Sequence, residues 1–245
     1  MFESRRGGRT SGATRRAAAF WLAAAAICCA LLEAASYVGD RLLARYAMLY
    51  VRSGSEGYAE YLAARDPILG WPSPAAFGQG EVDARGSRIV PSYPDPDAMT
   101  ACVSAFGDSF TFGLGVTPAE SYPNVLARAI GCRVNNFGVG GYGTDQALLR
   151  YRRFARDPAK FVVLGHYSED IIRNVNQLRD FVFGGRFRFK PRFVLENGGL
   201  RLIPLPALDA AGFSHIAEEH ERLLPYEFLR PGGAAGIVEF RFPYT

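Results

Sequence analysis

Three short stretches of the chain hold residue types that could do chemistry. Gly107-Asp108-Ser109-Phe110-Thr111-Phe112-Gly113 puts a hydroxyl on a glycine-flanked turn, exposed yet able to be held still. That is what a nucleophilic serine needs. Asn136-Phe137-Gly138-Val139-Gly140-Gly141-Tyr142-Gly143-Thr144 is rich in glycine, so its backbone can approach a ligand closely and turn amides toward it. Gly165-His166-Tyr167-Ser168-Glu169-Asp170 adds an imidazole and two carboxylates. Ordinary turn chemistry accounts for the first or the second stretch alone. The order of the three gives them weight.

Residues 101–106 form a short apolar run that reads as a buried strand, and residues 132–136 and 160–165 read as a second and a third strand, each leading into one of the stretches. Residues 119–130 have helical spacing (Tyr122, Val125, Leu126, Ala129, Ile130) stopped by Gly131. Thr144 can cap a helix with Asp145 and Gln146 in its first turn and Ala147, Leu148 and Tyr151 on its apolar face. Residues 168–181 read as one helix with Ser168 as N-cap and Glu169 and Asp170 favoured by the helix dipole. Strands alternating with helices imply a parallel α/β sheet covered on both faces. In such a sheet ligands bind beyond the carboxyl ends of the strands, where all three stretches lie. Residues 192–203 read as a hairpin around Asn197-Gly198, an antiparallel insertion on the parallel core. Residues 213–224 read as a polar helix. Residues 40–100 are dense in Pro and Gly after residue 66 and read as a juxtamembrane region, with helical pieces over 40–50 and 56–65.

The three ordered blocks resemble those of the SGNH/GDSL hydrolase family. Phe106-Gly-Asp-Ser-Phe-Thr-Phe-Gly113 is similar to its first block, Asn136-Phe-Gly-Val-Gly-Gly-Tyr-Gly-Thr-Asp-Gln146 to its second, and Val162-Val-Leu-Gly165 running into Glu169-Asp170 to its third. The likeness covers roughly residues 101–180. Leu69-Gly-Trp71, the stretch from Lys190 to Glu196 and the stretch from Gly199 to Ile203 also resemble membrane-anchored bacterial members. The resemblance implies a flavodoxin-like, three-layer α/β/α fold and ester hydrolysis or acyl transfer. It assigns Ser109 as nucleophile, and the amides of Ser109 and Gly141 as the oxyanion hole. Fixed N–H donors at a developing negative charge are worth about 3–4 kcal/mol each. Asp108 is expected to be structural, accepting hydrogen bonds from the turn.

Two departures from the family pattern stand out. The third block ordinarily supplies an Asn side-chain amide as a further donor. Glu169 or Asp170 occupies that position here, and an ionised carboxylate cannot donate. Asn174, about one helical turn later, would substitute only in a rearranged loop. The family base comes from a late Asp-x-x-His block after five parallel strands, whereas this sequence shows three such strands. Its histidines are His166, His215 and His220, and Asp209 stands six positions before His215. His215 and His220 read as solvent-exposed helix residues, and His166 as a loop residue near the site whose use as a base would be unorthodox. Without a base, a serine hydroxyl is a poor nucleophile at neutral pH. A core of three strands also leaves an edge, so apolar surface is expected to be exposed after residue 165.

Upstream, residues 17–32 carry no charge, and the apolar run resumes after Glu33 as far as Gly39. A helix over residues 17–39 would span ~34 Å, enough for a bilayer core. Residues 1–16 hold five Arg and one Glu, and the remaining 229 residues hold 23 basic and 23 acidic side chains. The net charge of +4 therefore belongs to the tail, which predicts a cytoplasmic N-terminus. A signal anchor is the expected role. A cleavable signal peptide, with small residues at Glu33-Ala-Ala-Ser36, and a buried core helix are the alternatives. The charge-balanced remainder argues against a nucleic-acid-binding surface. Cys28 and Cys29 read as small hydrophobes in the apolar run. Cys102 and Cys132 could pair in an oxidising compartment, but both look strand-associated and are expected to be separate thiols. No spacing suits a metal site, and no metal or organic cofactor is expected.

The expected organisation is a basic cytoplasmic tail (1–16), a transmembrane signal anchor (17–39), a juxtamembrane region (40–100) and a partial SGNH/GDSL hydrolase-like α/β domain (101–245) with the 192–203 hairpin. The expected function is ester hydrolysis or acyl or acetyl transfer at the cell envelope, from the extracytoplasmic face of the inner membrane. Expected partners are the membrane and an ester-bearing small molecule or glycan. The alternative is a shortened or degenerate, non-catalytic member that binds an acylated glycan or a protein.

Overall fold

The computed structural model describes residues 12–46, 57–78, 80–153, 158–183, 188–230, 235 and 242–243. Two compact units divide the chain, residues 1–47 with 239–245 and residues 48–238. The first is built on helix α1 (Gly12–Tyr46), in which Phe20, Trp21, Leu22, Ile27, Leu31 and Leu32 are exposed. An apolar surface all round is what a membrane-spanning helix presents. The stretch Thr14–Leu42 is long and apolar enough to cross a membrane. The tail before residue 12 and the expected extension over 47–50 lie outside the described residues.

The second unit carries a parallel sheet of β1 (Val103–Gly107), β2 (Val134–Gly138) and β3 (Phe161–Leu164) in the order β2-β1-β3. β1 pairs in register with β2 from Val103↔Val134 to Gly107↔Gly138 and with β3 from Val103↔Phe161 to Phe106↔Leu164. β1 and β2 are buried throughout. Strand alternation separates two sets of side chains. Val103 and Ala105 pack with Ala127 of helix α5 (Tyr122–Ile130), whereas Phe106 and Phe137 pack with Ala147 of helix α6 (Thr144–Arg153). In α6 the buried set is Asp145, Gln146, Ala147, Leu149 and Arg150, rotated from the expected face, and Tyr151 is exposed.

Burial on both faces stops at β3, whose four residues are all exposed. This corrects the expectation of a fully covered sheet and agrees with the expected apolar edge. Ile171 and Ile172, beyond residue 165, are exposed as well. Cys102 and Cys132 are joined in a disulfide, with Cα atoms 6.0 Å apart, contrary to the expectation of separate thiols. The in-register pairing brings the strand entries side by side, so the bond staples the end of the sheet opposite the three loops.

The region between residues 57 and 100 is poor in regular elements, with α2 (Tyr58–Ala64) and α3 (Pro74–Phe77), yet it is packed against the sheet. The buried Arg88 donates to the carbonyls of Phe112, Gly113 and Val116, its own amide donates to Asn136 O, and Arg150 reaches back to Gly86 O. Beyond β3, the expected helix over 168–181 is broken. α7 (Glu169–Asn174) ends where the chain turns, and α8 (Asp180–Phe183) follows. Tertiary partners cause the break: the amides of Gln177 and Leu178 donate to the Glu227 carboxylate at 2.6 and 3.2 Å, and Gln177 O accepts from Lys190 N. Ser168 is itself in helical conformation and makes no side-chain cap.

The hairpin forms as expected, β4 (Arg192–Glu196) against β5 (Gly199–Ile203), with Asn197 and Gly198 at φ 51° and 77°. These are the left-handed conformations that a two-residue turn of this kind requires. Helices α9 (Ala210–Ser214) and α10 (Ile216–Leu223) complete a second core with Tyr61, Leu178, Phe181 and Phe189. His220 is buried there, edge-on to the Phe181 ring, not exposed as the sequence suggests.

Candidate active site

Ser109 opens the short helix α4 (Ser109–Phe112) directly after β1. Asp108 caps it, its side chain accepting from Phe110 N at 2.9 Å. The seating of α4 depends on a glycine at the end of each strand. A Cβ on Gly138 would fall 2.1 Å from Phe112 N, and Cβ atoms on Gly107 and Gly165 would fall 2.2 and 2.1 Å from Thr111 Oγ1. Only the missing side chains let the serine turn lie this low over three strands. Asn136 reinforces the arrangement, donating to Phe112 O and accepting from Gly138 N.

Gly141 lies in the turn after β2, with φ 83°. The turn is pinned by Tyr142, which is fully buried and donates its hydroxyl to Pro72 O. Because β1 and β2 are adjacent and parallel, the loops carrying Ser109 and Gly141 leave the same edge of the sheet. The chain then passes from β2 across to β3 on the other side of β1. The crevice at such a reversal of strand order is the usual ligand site of an open α/β sheet.

Arg173 ties the three loops together. Its Nη1 lies 3.2 Å from Asp108 Oδ2, 3.0 Å from Tyr142 O and 3.0 Å from Asp170 Oδ1, and its Nη2 lies 3.0 Å from Glu169 Oε1. Asp108, Asp170 and Arg173 are all buried. Burial, and secondarily the Asp108 charge, holds the Asp170 carboxyl above the usual carboxylate range, with Arg173 opposing. Both third-block carboxyl groups, Glu169 and Asp170, accept hydrogen bonds from Arg173. Asn174 is engaged as well, its Oδ1 accepting from Asp145 N at the start of α6.

A second guanidinium lies over the Gly141 turn. A Cβ on Gly141 would fall 1.8 Å from Arg179 Nη1. Arg179 and Arg188 stand over the Trp71 ring, with Cζ atoms 5.8 and 4.8 Å from its centroid. Burial, with Arg173 and Arg188 adding, lowers Arg179 to about 10, so it stays cationic at neutral pH.

The histidines do not converge on Ser109. His166 is half-exposed, with Nδ1 3.1 Å from Thr144 Oγ1 and 3.7 Å from Asp170 Oδ2. The next residue, Tyr167, packs its ring 4.6 Å from that of Phe110. His215 lies with Asp209 and Glu219 on a separate cavity of about 580 Å³ that shares no residue with the three loops. Among the described residues none hydrogen-bonds to the Ser109 hydroxyl, and no cluster suited to a metal ion occurs. Sequence reasoning missed Arg173 and Arg179. The signal available for Arg173 was its spacing four residues after Glu169, which reads as a surface ion pair on a helix, and nothing in the sequence pointed to Arg179.

No family model and no curated protein matches the chain. Among solved structures it is similar to AlinE4, a SGNH-hydrolase family esterase, at 32% identity over 30% of this chain and 43% of that one, with a TM-score of 0.26. A mutant of the same esterase matches at 31% identity over 31% and 44%, also with a TM-score of 0.26. The chain thus spans less than half the length of the esterases it matches.

Proposed function

We propose that this chain is a membrane-anchored serine ester hydrolase or acyl-ester transferase of the SGNH/GDSL type, with Ser109 as nucleophile and the amides of Ser109 and Gly141 as oxyanion donors. The observation that carries this is the Arg173 guanidinium. One nitrogen binds both the carboxylate that caps the serine turn and the carbonyl next to Gly141. The two turns are thereby held as one constellation above adjacent strands. Ser109 Oγ would attack the ester carbonyl, its proton would pass to the leaving alcohol, and water or an acceptor hydroxyl would later take the acyl group. Preorganised donors of this kind stabilise the tetrahedral intermediate without reorganising during reaction.

The N-terminal helix serves as a signal anchor in the inner membrane, its Arg-rich tail in the cytoplasm and the α/β unit on the extracytoplasmic side, where acylated envelope glycans are the accessible esters. The Cys102–Cys132 disulfide supports that side, because such bonds persist in oxidising compartments. One observation favours a second reading, a non-catalytic binder: no described residue accepts the Ser109 proton.

Labelling of the full-length chain in detergent micelles with a fluorophosphonate probe tests the proposal. Labelling of the wild type that is lost in Ser109→Ala is the expected result. A folded wild type that takes up no probe and hydrolyses no p-nitrophenyl acetate refutes the enzyme reading in favour of the binder.

A further inference from the structure

We propose that the Arg179 guanidinium is a further oxyanion donor, occupying beside Gly141 the role that an asparagine amide plays in the third block of the SGNH pattern. This rests on the reading of Ser109 and Gly141 given above.

The third-block positions cannot play that role themselves. Glu169 and Asp170 turn oxygens to Arg173, and the other Asp170 oxygen accepts from Tyr167 N, so neither is directed at Gly141. Asn174 turns its carbonyl oxygen to the start of α6 and lies against Gly143, not Gly141. Arg179 is the donor-bearing side chain set against the oxyanion glycine itself, its Nη1 filling the space that any side chain at position 141 would need. Glycine there answers two demands at once, the left-handed backbone and the approach of the guanidinium.

The arm that carries the guanidinium is held rather than loose. Its backbone amide donates to Arg188 O at 3.2 Å, and the Trp71 ring lies beneath the guanidinium. Arg173, Arg188, Glu169 and Asp180 are its charged neighbours. Glu169 is bound by Arg173, and one Asp180 oxygen accepts from the amide of Arg188. A planar guanidinium presents several N–H groups in a rigid fork, so one can face a developing oxyanion while the others keep their protein contacts. A cation beside Gly141 acts more strongly on a developing oxyanion than a neutral amide does.

The test uses full-length wild type, R179M, R179K and R179A in detergent micelles, with p-nitrophenyl acetate as substrate and fluorophosphonate labelling as the count of competent Ser109. If Arg179 meets the oxyanion, kcat in R179M falls by about 10²–10³ with KM little changed. R179K then retains more of the rate than R179M, and added guanidinium ion restores R179A at least partly. An arm that merely packs on Trp71 and Gly141 would give no rescue. Equal kcat in labelled wild type and R179M overturns this inference alone. A folded wild type that neither labels nor turns over ester overturns the reading of Ser109, and this inference with it.

Discussion

Truncating Arg173 to Met removes the cation that two buried carboxylates share. Asp108 and Asp170 are each about 1% exposed, and Arg173 is 6% exposed. Breaking a buried pair by deleting one partner typically costs about 3–5 kcal/mol, because an uncompensated charge is left inside. The contact with the half-exposed Glu169 adds little, since water screens it. For a folded unit of this size each kcal/mol lowers Tm by about 2–4 °C, so a drop of roughly 6–20 °C is expected. The deficit must depend on pH. Burial already raises the folded-state pKa of Asp170, and loss of Arg173 raises it further. A carboxyl whose folded pKa lies above its unfolded value, about 3.9 for Asp, loses stability as pH rises through that interval. The variant should therefore approach the wild type near pH 4–5 and fall furthest below it near pH 8. R173M combined with D108N should recover part of the loss, since one orphaned charge is gone. Thermal unfolding followed by circular dichroism in detergent, at several pH values, measures all of this. A Tm shift under about 2 °C at pH 8, or one that does not vary with pH, would refute the view that Arg173 holds the loops by charge.

Two further outcomes follow from the packing. The Glu227 carboxyl, pushed up to about 7 chiefly by burial and only partly relieved by the Gln177 and Leu178 amides, favours its protonated form in the folded chain. Stability should fall as pH rises from about 4.3 to about 7 and level off above, a difference of about 4 kcal/mol; urea titrations of E227Q should lack that slope. The Cys102–Cys132 bond closes a loop with a sequence separation of 30. By chain entropy its reduction should cost about 3–4 kcal/mol, seen as a lower Tm in dithiothreitol that C102S reproduces without reductant. Equal Tm values with and without reductant would contradict that contribution.

Much of the local structure was legible before any coordinates. Apolar runs before Gly107 and Gly165 mark β1 and β3, and the glycine-rich turn after residue 136 marks the end of β2. Asn197-Gly198 fixed its hairpin turn by backbone sterics alone, and Asp108 was recognisable as a cap. The uncharged run after an Arg-rich tail identified the helix able to cross a membrane. These features rest on interactions within a few residues, which sequence spacing encodes directly.

What only the tertiary structure decided involves partners far apart in the chain. The helix expected over 168–181 breaks because Glu227, some 50 positions on, takes the amides of Gln177 and Leu178. His220 is buried because α10 turns it toward Phe181. Cys102 and Cys132 meet because two parallel strands begin level. Arg173 and Arg179 belong to the site because long side chains reach across loops, and a long flexible cation carries no local pattern to say where its charge will rest. Sequence names the groups capable of chemistry. The distances that let a buried guanidinium join the serine turn to the glycine turn exist only once the sheet has brought those loops to one edge.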